Sequence, residues 1–160
     1  MADAASLSAT DRVRAAATAL GLDIEIRNMA DSTRTAEEAA KACGCDVAQI
    51  VKSLIFQGVD TKRPHLLLVS GANRVNEEKS ADVIGEKLTR PNAAFVRDVT
   101  GFAIGGIPPF GHTTPMRTLM DEHLLQFDVI WAAAGTPHAV FPVSPAALRD
   151  ALGATVTTLT

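Results

Sequence analysis

Thirteen consecutive residues, Thr100-Gly101-Phe102-Ala103-Ile104-Gly105-Gly106-Ile107-Pro108-Pro109-Phe110-Gly111-His112, carry four glycines and two adjacent prolines. Proline has no N–H to donate and holds φ fixed, while glycine opens backbone conformations closed to other residues. No helix or interior strand runs through such a stretch, so it is predicted to be a rigid loop with unusual backbone angles. Without side chains in the way, Gly105 and Gly106 are candidates to offer backbone N–H groups to a carbonyl, ribose or phosphate oxygen. The loop lacks the Gly-Lys-Ser/Thr ending of a phosphate-binding P-loop and the Gly-x-Gly-x-x-Gly spacing of a dinucleotide turn. On these residues alone, a structural turn between strands is the alternative.

The elements on either side are short. Ser8 or Thr10 caps a helix to about Leu20, with Val13, Ala16, Ala17 and Leu20 on one face and Gly21 behind it. Residues 23–27 alternate polar and apolar, as a half-buried strand does. Thr35-Ala36-Glu37-Glu38 has the spacing of a capping box and opens a helix that stops near Gly44. Ile50–Gln57 and His65–Ser70 read as strands joined by a polar turn. Asn76 caps a helix to about Lys87, Pro91 is placed to start another to about Val99, and Gly101 ends it. Beyond the loop, Arg117–Met120, Val129–Ala133 and Ala139–Val143 read as strands, and Ser144-Pro145 opens a last helix to about Leu152. Neither regular βαβ alternation, an internal repeat nor linker composition appears. The expected fold is therefore α+β, a mixed α/β chain in one domain over residues 9–160. In it, a mixed sheet of six or seven strands curls into a barrel flanked by helices. Residues 1–8 form a loose lead-in.

Composition narrows the functional classes. The chain has 160 residues, 47% of them apolar and 21% charged, enough to build a core. No run approaches the ~20 apolar residues that cross a bilayer, so no membrane role is expected. Fifteen basic against eighteen acidic residues give a net charge of −3, which leaves little sequence-independent attraction to duplex DNA. Contact with RNA would have to be local, at a pocket for one nucleotide end, or be helped by a second protein. Two cysteines and no secretory signal suggest a reduced, cytoplasmic setting.

Lys52 is the first candidate side chain. On a strand from Ile50 to Gln57 it shares its face with Ile50, Leu54 and Phe56, while Val51, Ser53 and Ile55 point the other way. An ammonium among apolar neighbours must pair with an anion, reach water along its alkyl stem, or line a polar cavity. Other constellations carry less. Cys43-Gly44-Cys45 has no second ligand pair at zinc spacing, and His65, His112, His123 and His138 are scattered. No Gly-x-Ser-x-Gly elbow occurs. Glu37-Glu38 and Glu77-Glu78 sit where first-turn carboxylates answer a helix dipole. Six Phe, one Trp and no Tyr supply a base-stacking platform poorly. Neither a metal nor an organic cofactor is indicated.

Val51-Lys52-Ser53-Leu54, followed by Thr100-Gly101 and Gly105-Gly106-Ile107-Pro108-Pro109-Phe110-Gly111, resembles the YbaK/EbsC family. That family is related to the editing insertion domain of bacterial prolyl-tRNA synthetases. The resemblance extends to Ala133-Ala134-Gly135-Thr136-Pro137 and Val143-Ser144-Pro145-Ala146-Ala147-Leu148 and covers nearly the whole chain. It implies a β-barrel flanked by helices and a deacylase that acts in trans on the ester of a mischarged tRNA, with prolyl-tRNA synthetase as a possible helper. By resemblance, Lys52 matches the functional lysine and Gly105 and Gly106 fall in the substrate loop, giving three catalytic candidates. Ser53, Gly101, Ile107, Pro109, Gly111 and Gly135 are the substrate-binding candidates. Ser53 stands where Thr is seen in cysteinyl-tRNA(Pro) deacylases, and Ala133-Ala134-Gly135 replaces a frequent Ser-Gly-Gly, so the amino acid removed is left open between Ala and Cys. A non-catalytic module of the same fold, binding aminoacyl-tRNA ends or the synthetase, is the rival reading. Hydrolysis of a small ester unrelated to tRNA is a third.

Overall fold

A computed structural model describes residues 7–160. Apart from Leu7 and Ser8, the lead-in expected over residues 1–8 lies outside the described residues. Five helices form where their caps stand in the sequence: α1 (Ala9–Ala19), α2 (Ala36–Cys43), α3 (Glu77–Ile84), α4 (Ala93–Thr100) and α5 (Pro145–Leu152). Each begins with a side-chain oxygen accepting a free N–H of the first turn: Ser8 from Asp11, Thr35 from Glu38, Asn76 from Lys79, Asn92 from Phe95 and Ser144 from Ala147.

Boundaries differ where a stronger local signal wins. Helix α3 stops at Ile84 rather than Lys87, because Gly85 takes the left-handed conformation, φ +97°, and closes it. Pro91 lies before the Asn92 cap and outside α4, not in its first turn. The first strand, β1, is Arg27–Asn28 rather than residues 23–27. The alternation upstream still places Leu22, Ile24 and Ile26 against the core, but backbone pairing begins only where the segment meets Ala139 and Val140.

Among the described residues, eight strands form two sheets, against the six or seven expected in one. The larger has the order β4 (Leu88–Thr89), β2 (Val51–Gly58), β3 (Pro64–Ser70), β5 (Arg117–Asp121), β8 (Thr155–Thr157); the smaller runs β1, β7 (Ala139–Val143), β6 (Ile130–Ala133). β2 and β3 are an antiparallel pair, while β3 and β5, and β5 and β8, run parallel. A single bridge between Ile50 and Trp131 ties one sheet to the other. The described ladders thus amount to two sheets joined at a point.

The strand β3 shows why its sequence is apolar without alternation. Leu66 and Leu68 enter the core between the sheets, with Val51, Ile55, Ile130, Ala132 and Phe141. Leu67 and Val69 pack on the opposite face with Phe56 and Leu119, under Val83 and Ile84 of α3. A strand covered on both faces has no polar side. The same division puts Val51 and Ile55 on the inter-sheet face of β2 and Leu54 and Phe56 on the other, so Lys52 and Ser53 project oppositely, as the sequence pattern requires.

Phe110, in the glycine-proline loop, packs its ring 5.5 Å from that of fully buried Phe141 on β7. Phe141→Ala is expected to destabilise the protein by about 3–5 kcal/mol, the usual result of emptying a large core site. A shift of the denaturant midpoint at constant slope measures it.

Candidate active site

Strand β2 is paired along one edge and almost unpaired along the other. On its outer side β4 reaches only Gln57 and Gly58, and the Trp131 bridge holds only Ile50. Among the described residues, nothing pairs with that edge from Val51 to Phe56. A cavity of about 450 Å³ lies there, within the roughly 300–1,000 Å³ usual for ligand pockets. Trp131, Ala132 and Ala133 of β6 with Val140 of β7 form its far wall, Thr33–Ala36 one end, and Arg90-Pro91 with Val96 another. Ile104, Gly105 and Ile107 of the glycine loop close over it. The lining holds three cations, Arg34, Lys52 and Arg90, and no carboxylate, so an acidic protein presents a locally positive pocket.

Lys52 is half-buried, and its ammonium donates to the backbone carbonyl of Asn73. Burial lowers its pKa from the ordinary lysine value, and Arg74 adds to the lowering, while Glu37 and Asp121 oppose it. Ser53 also lines the cavity, and its Oγ is buried without a hydrogen-bond partner. A buried hydroxyl left unpaired is unfavourable, which leaves that oxygen available to a bound group.

The loop is shaped for close approach. Gly105 has φ +103°, and a Cβ there would stand 3.0 Å from Nε of Arg34, which lies across it. Its N–H makes no hydrogen bond to the described residues. Gly106 differs from the expectation of a second free donor, since its N–H points to the Ala103 carbonyl at 3.3 Å. Its carbonyl accepts from Gly135 N–H at 2.9 Å, and a Cβ on Gly106 would sit 2.6 Å from the Thr136 nitrogen. Gly106 and Gly135 therefore dock the loop, backbone against backbone, onto the β6–β7 turn.

Of the nine sequence candidates, the structure brings Lys52, Ser53, Gly105 and Ile107 to the cavity lining. Gly106 and Gly135 meet behind it. Gly101 is the left-handed cap of α4, φ +79°, and Gly111, φ +80°, packs against Ala16 of α1. Pro109 is not in the lining. Next to it, the Pro108 carbonyl accepts from Nε2 of His112 at 2.7 Å, which makes Nε2 the protonated ring nitrogen. Arg34, Arg90 and Trp131 were missed. Arg34 is far in sequence from Gly105, and no local pattern signals that meeting; the guanidinium of Arg27 lying 5.0 Å from the Trp131 ring is equally non-local.

The residues that match the model of the aminoacyl-tRNA editing domain are 30–151. The uncharacterized protein YwhH of Bacillus subtilis (strain 168) is 27% identical over 126 residues, 79% of this chain and 80% of that protein. A proline–tRNA ligase of Limosilactobacillus fermentum is 31% identical over 111 residues, 66% of this chain but 19% of the ligase. A crystal structure of a candidate trans-editing enzyme for prolyl tRNA synthetase superposes with a TM-score of 0.90 at 44% identity, covering 97% of this chain and 99% of that one.

Two outcomes test the loop. Gly106→Ala should be destabilised by about 1–3 kcal/mol, as overpacked sites are, with faster hydrogen exchange at the Gly135 amide. His112 is held neutral by burial, which lowers its pKa from 6.5 against the opposing pull of the Pro108 carbonyl. A depressed folded pKa gives stability that is complete above the unfolded value and declines as pH falls below it. Denaturation from pH 8 to 5 should therefore show wild type losing stability below about pH 6.5, and His112→Gln losing less.

The family model spans most of the chain, and the cavity, its lysine and its glycine loop lie within the matched segment, so the protein belongs to the aminoacyl-tRNA editing domain family.

Proposed function

We propose that the protein is a deacylase that acts in trans on mischarged tRNA, with tRNA(Pro) carrying Ala or Cys as substrate. The observation that carries this reading is the meeting, in the lining of one cavity without a carboxylate, of Lys52 and of Gly105, whose N–H has no partner among the described residues. The end-to-end likeness to a candidate trans-editing enzyme supports action in trans.

The chemistry asks little of the protein. Water attacks the ester carbonyl, the carbonyl oxygen takes up negative charge, the bond to the ribose 3′ oxygen breaks, and that oxygen leaves with a proton derived from the water. An aminoacyl ester is already activated, and the adjacent ribose hydroxyl helps to orient the water, so positioning and oxyanion stabilisation suffice. Gly105 N–H donates to the developing oxyanion. Lys52, donor-only while charged, grips the terminal phosphate or ribose and sets the ester against that N–H. It is assigned a binding role and not that of general base, since an ordinary lysine is protonated at neutral pH.

The apolar part of the lining suits a short side chain. Val51, Ile55, Ala132 and Val140 are apolar, and such a surface separates substrates differing by one methylene by only about 1–3 kcal/mol. The unpartnered Ser53 Oγ supplies a polar point within it. Prolyl-tRNA synthetase is the proposed helper for delivery.

Release of amino acid from tRNA(Pro) carrying Ala, Cys, Ser or Pro, with and without prolyl-tRNA synthetase, tests the reading. Cleavage of the Ala or Cys ester is expected, and inertness across the panel would favour a binding module. Lys52→Ala should slow single-turnover cleavage about a hundredfold or more, the usual effect of losing one well-placed interaction with the reacting centre, with an unchanged circular dichroism spectrum.

A further inference from the structure

A lysine on a strand end has four rotatable bonds and no intrinsic reason to hold one direction. In this protein its direction is set by a carbonyl, and the carbonyl is set by a buried charge. The Lys52 ammonium donates to the backbone oxygen of Asn73, in the turn that follows β3. The Asn73 N–H closes that turn on the Ser70 carbonyl at 2.9 Å, and Gly71 N–H ties it to the Ile50 carbonyl at 2.7 Å, one residue before β2.

The Asn73 side chain fixes the turn from the other side. Its Nδ2 donates to Oδ2 of Asp121, at 2.8 Å, and lies 2.7 Å from Nδ1 of His123, which itself stands 3.3 Å from Oδ1 of Asp121. A carboxylate only accepts, so the amide nitrogen and not its oxygen must face Asp121. Oδ2 also accepts Ser70 N–H at 3.1 Å, and Oδ1 accepts His123 N–H at 3.0 Å. Asp121 is fully buried; a carboxylate there needs every one of those donors. An amide in its place would turn an N–H toward another N–H.

We propose that Asp121 and Asn73 are positioning residues for Lys52: the buried carboxylate holds the Asn73 amide, and thereby the carbonyl that fixes the ammonium of this cavity-lining residue. Three elements remote in sequence, the end of β5, the turn after β3 and the start of β2, make one rigid mount. The kinetic consequence rests on the deacylase reading; the mount does not.

Asn73→Ala removes the clamp, keeps the carbonyl and alters a half-buried turn, so it keeps the test open should Asp121→Asn fail to fold. Each variant is expected to lower kcat for the Ala or Cys ester about tenfold or more, the scale on which small displacements of a positioned group act, with KM changed by less than about twofold. In a Lys52→Ala background, Asn73→Ala should have no further effect; additive losses would show a merely structural role and overturn the proposal. The Lys52 ammonium resonance in a nitrogen-15 spectrum should be sharp in wild type and lost to exchange in Asn73→Ala. An unchanged resonance overturns the mount whatever the activity. A lost resonance with a wild type inert on every ester upholds the mount and overturns the deacylase reading.

Discussion

Among the described residues, the outer edge of β2 between Val51 and Phe56 has no strand partner, and the site follows from that vacancy in the ladder. An unpaired edge normally invites pairing with another chain. Here β4 ends it on one side, the Trp131 bridge ends it on the other, and the glycine loop and the capped start of α2 cover the gap without supplying a strand. The result is a cavity bounded by backbone, in which Lys52 and Ser53, pointing to opposite faces of one strand, both reach the lining. A fully paired sheet would have packed those positions as core.

The glycines divide the labour of covering the gap. Gly105 leaves its N–H without a partner among the described residues and lets Arg34 lie against it, a close approach that its missing Cβ allows. Gly106 does the opposite, turning its N–H inward to Ala103 and its flat backbone against Thr136. Two adjacent residues of one type thus serve the surface and its support. Lys52 has the same arrangement at larger scale, since a residue of the cavity lining is held by Asn73 and, through it, Asp121, which are not in that lining.

How much of this was legible in the sequence depends on range. Caps act within four residues, so Ser8, Thr35, Asn76 and Ser144 announced their helices, and the alternation along β2 separated Lys52 from Ser53 correctly. The uninterrupted apolar run of β3 read as a strand without revealing that both its faces are covered. The two- and three-residue strands β1, β4 and β8 have too little pattern to see, which is why one sheet was expected where two exist. Within the site, Lys52 was visible as a charge out of place and Gly105 as freedom out of place. Arg34 and Asp121 were not, because an ordinary arginine before a capping threonine and an ordinary aspartate ending a strand gain meaning only from partners about 70 and 50 residues away.

The cavity's size and charge also constrain how a nucleic acid could use it. About 450 Å³ accommodates an acylated sugar with part of its base, so the remainder of a tRNA would lie on the surface of a chain whose net charge is −3. Attraction would then come from the few cations at the mouth, and phosphate contacts few in number give both modest affinity and a shallow dependence on salt. Of those cations Arg90 is shared with Glu77 at 3.7 Å and with the Phe56 ring at 5.5 Å, which leaves Arg34 and Lys52 as the less encumbered pair. On the proposed deacylase reading, such a site would read the end of a tRNA rather than its body, and discrimination among tRNAs would fall to whatever delivers them.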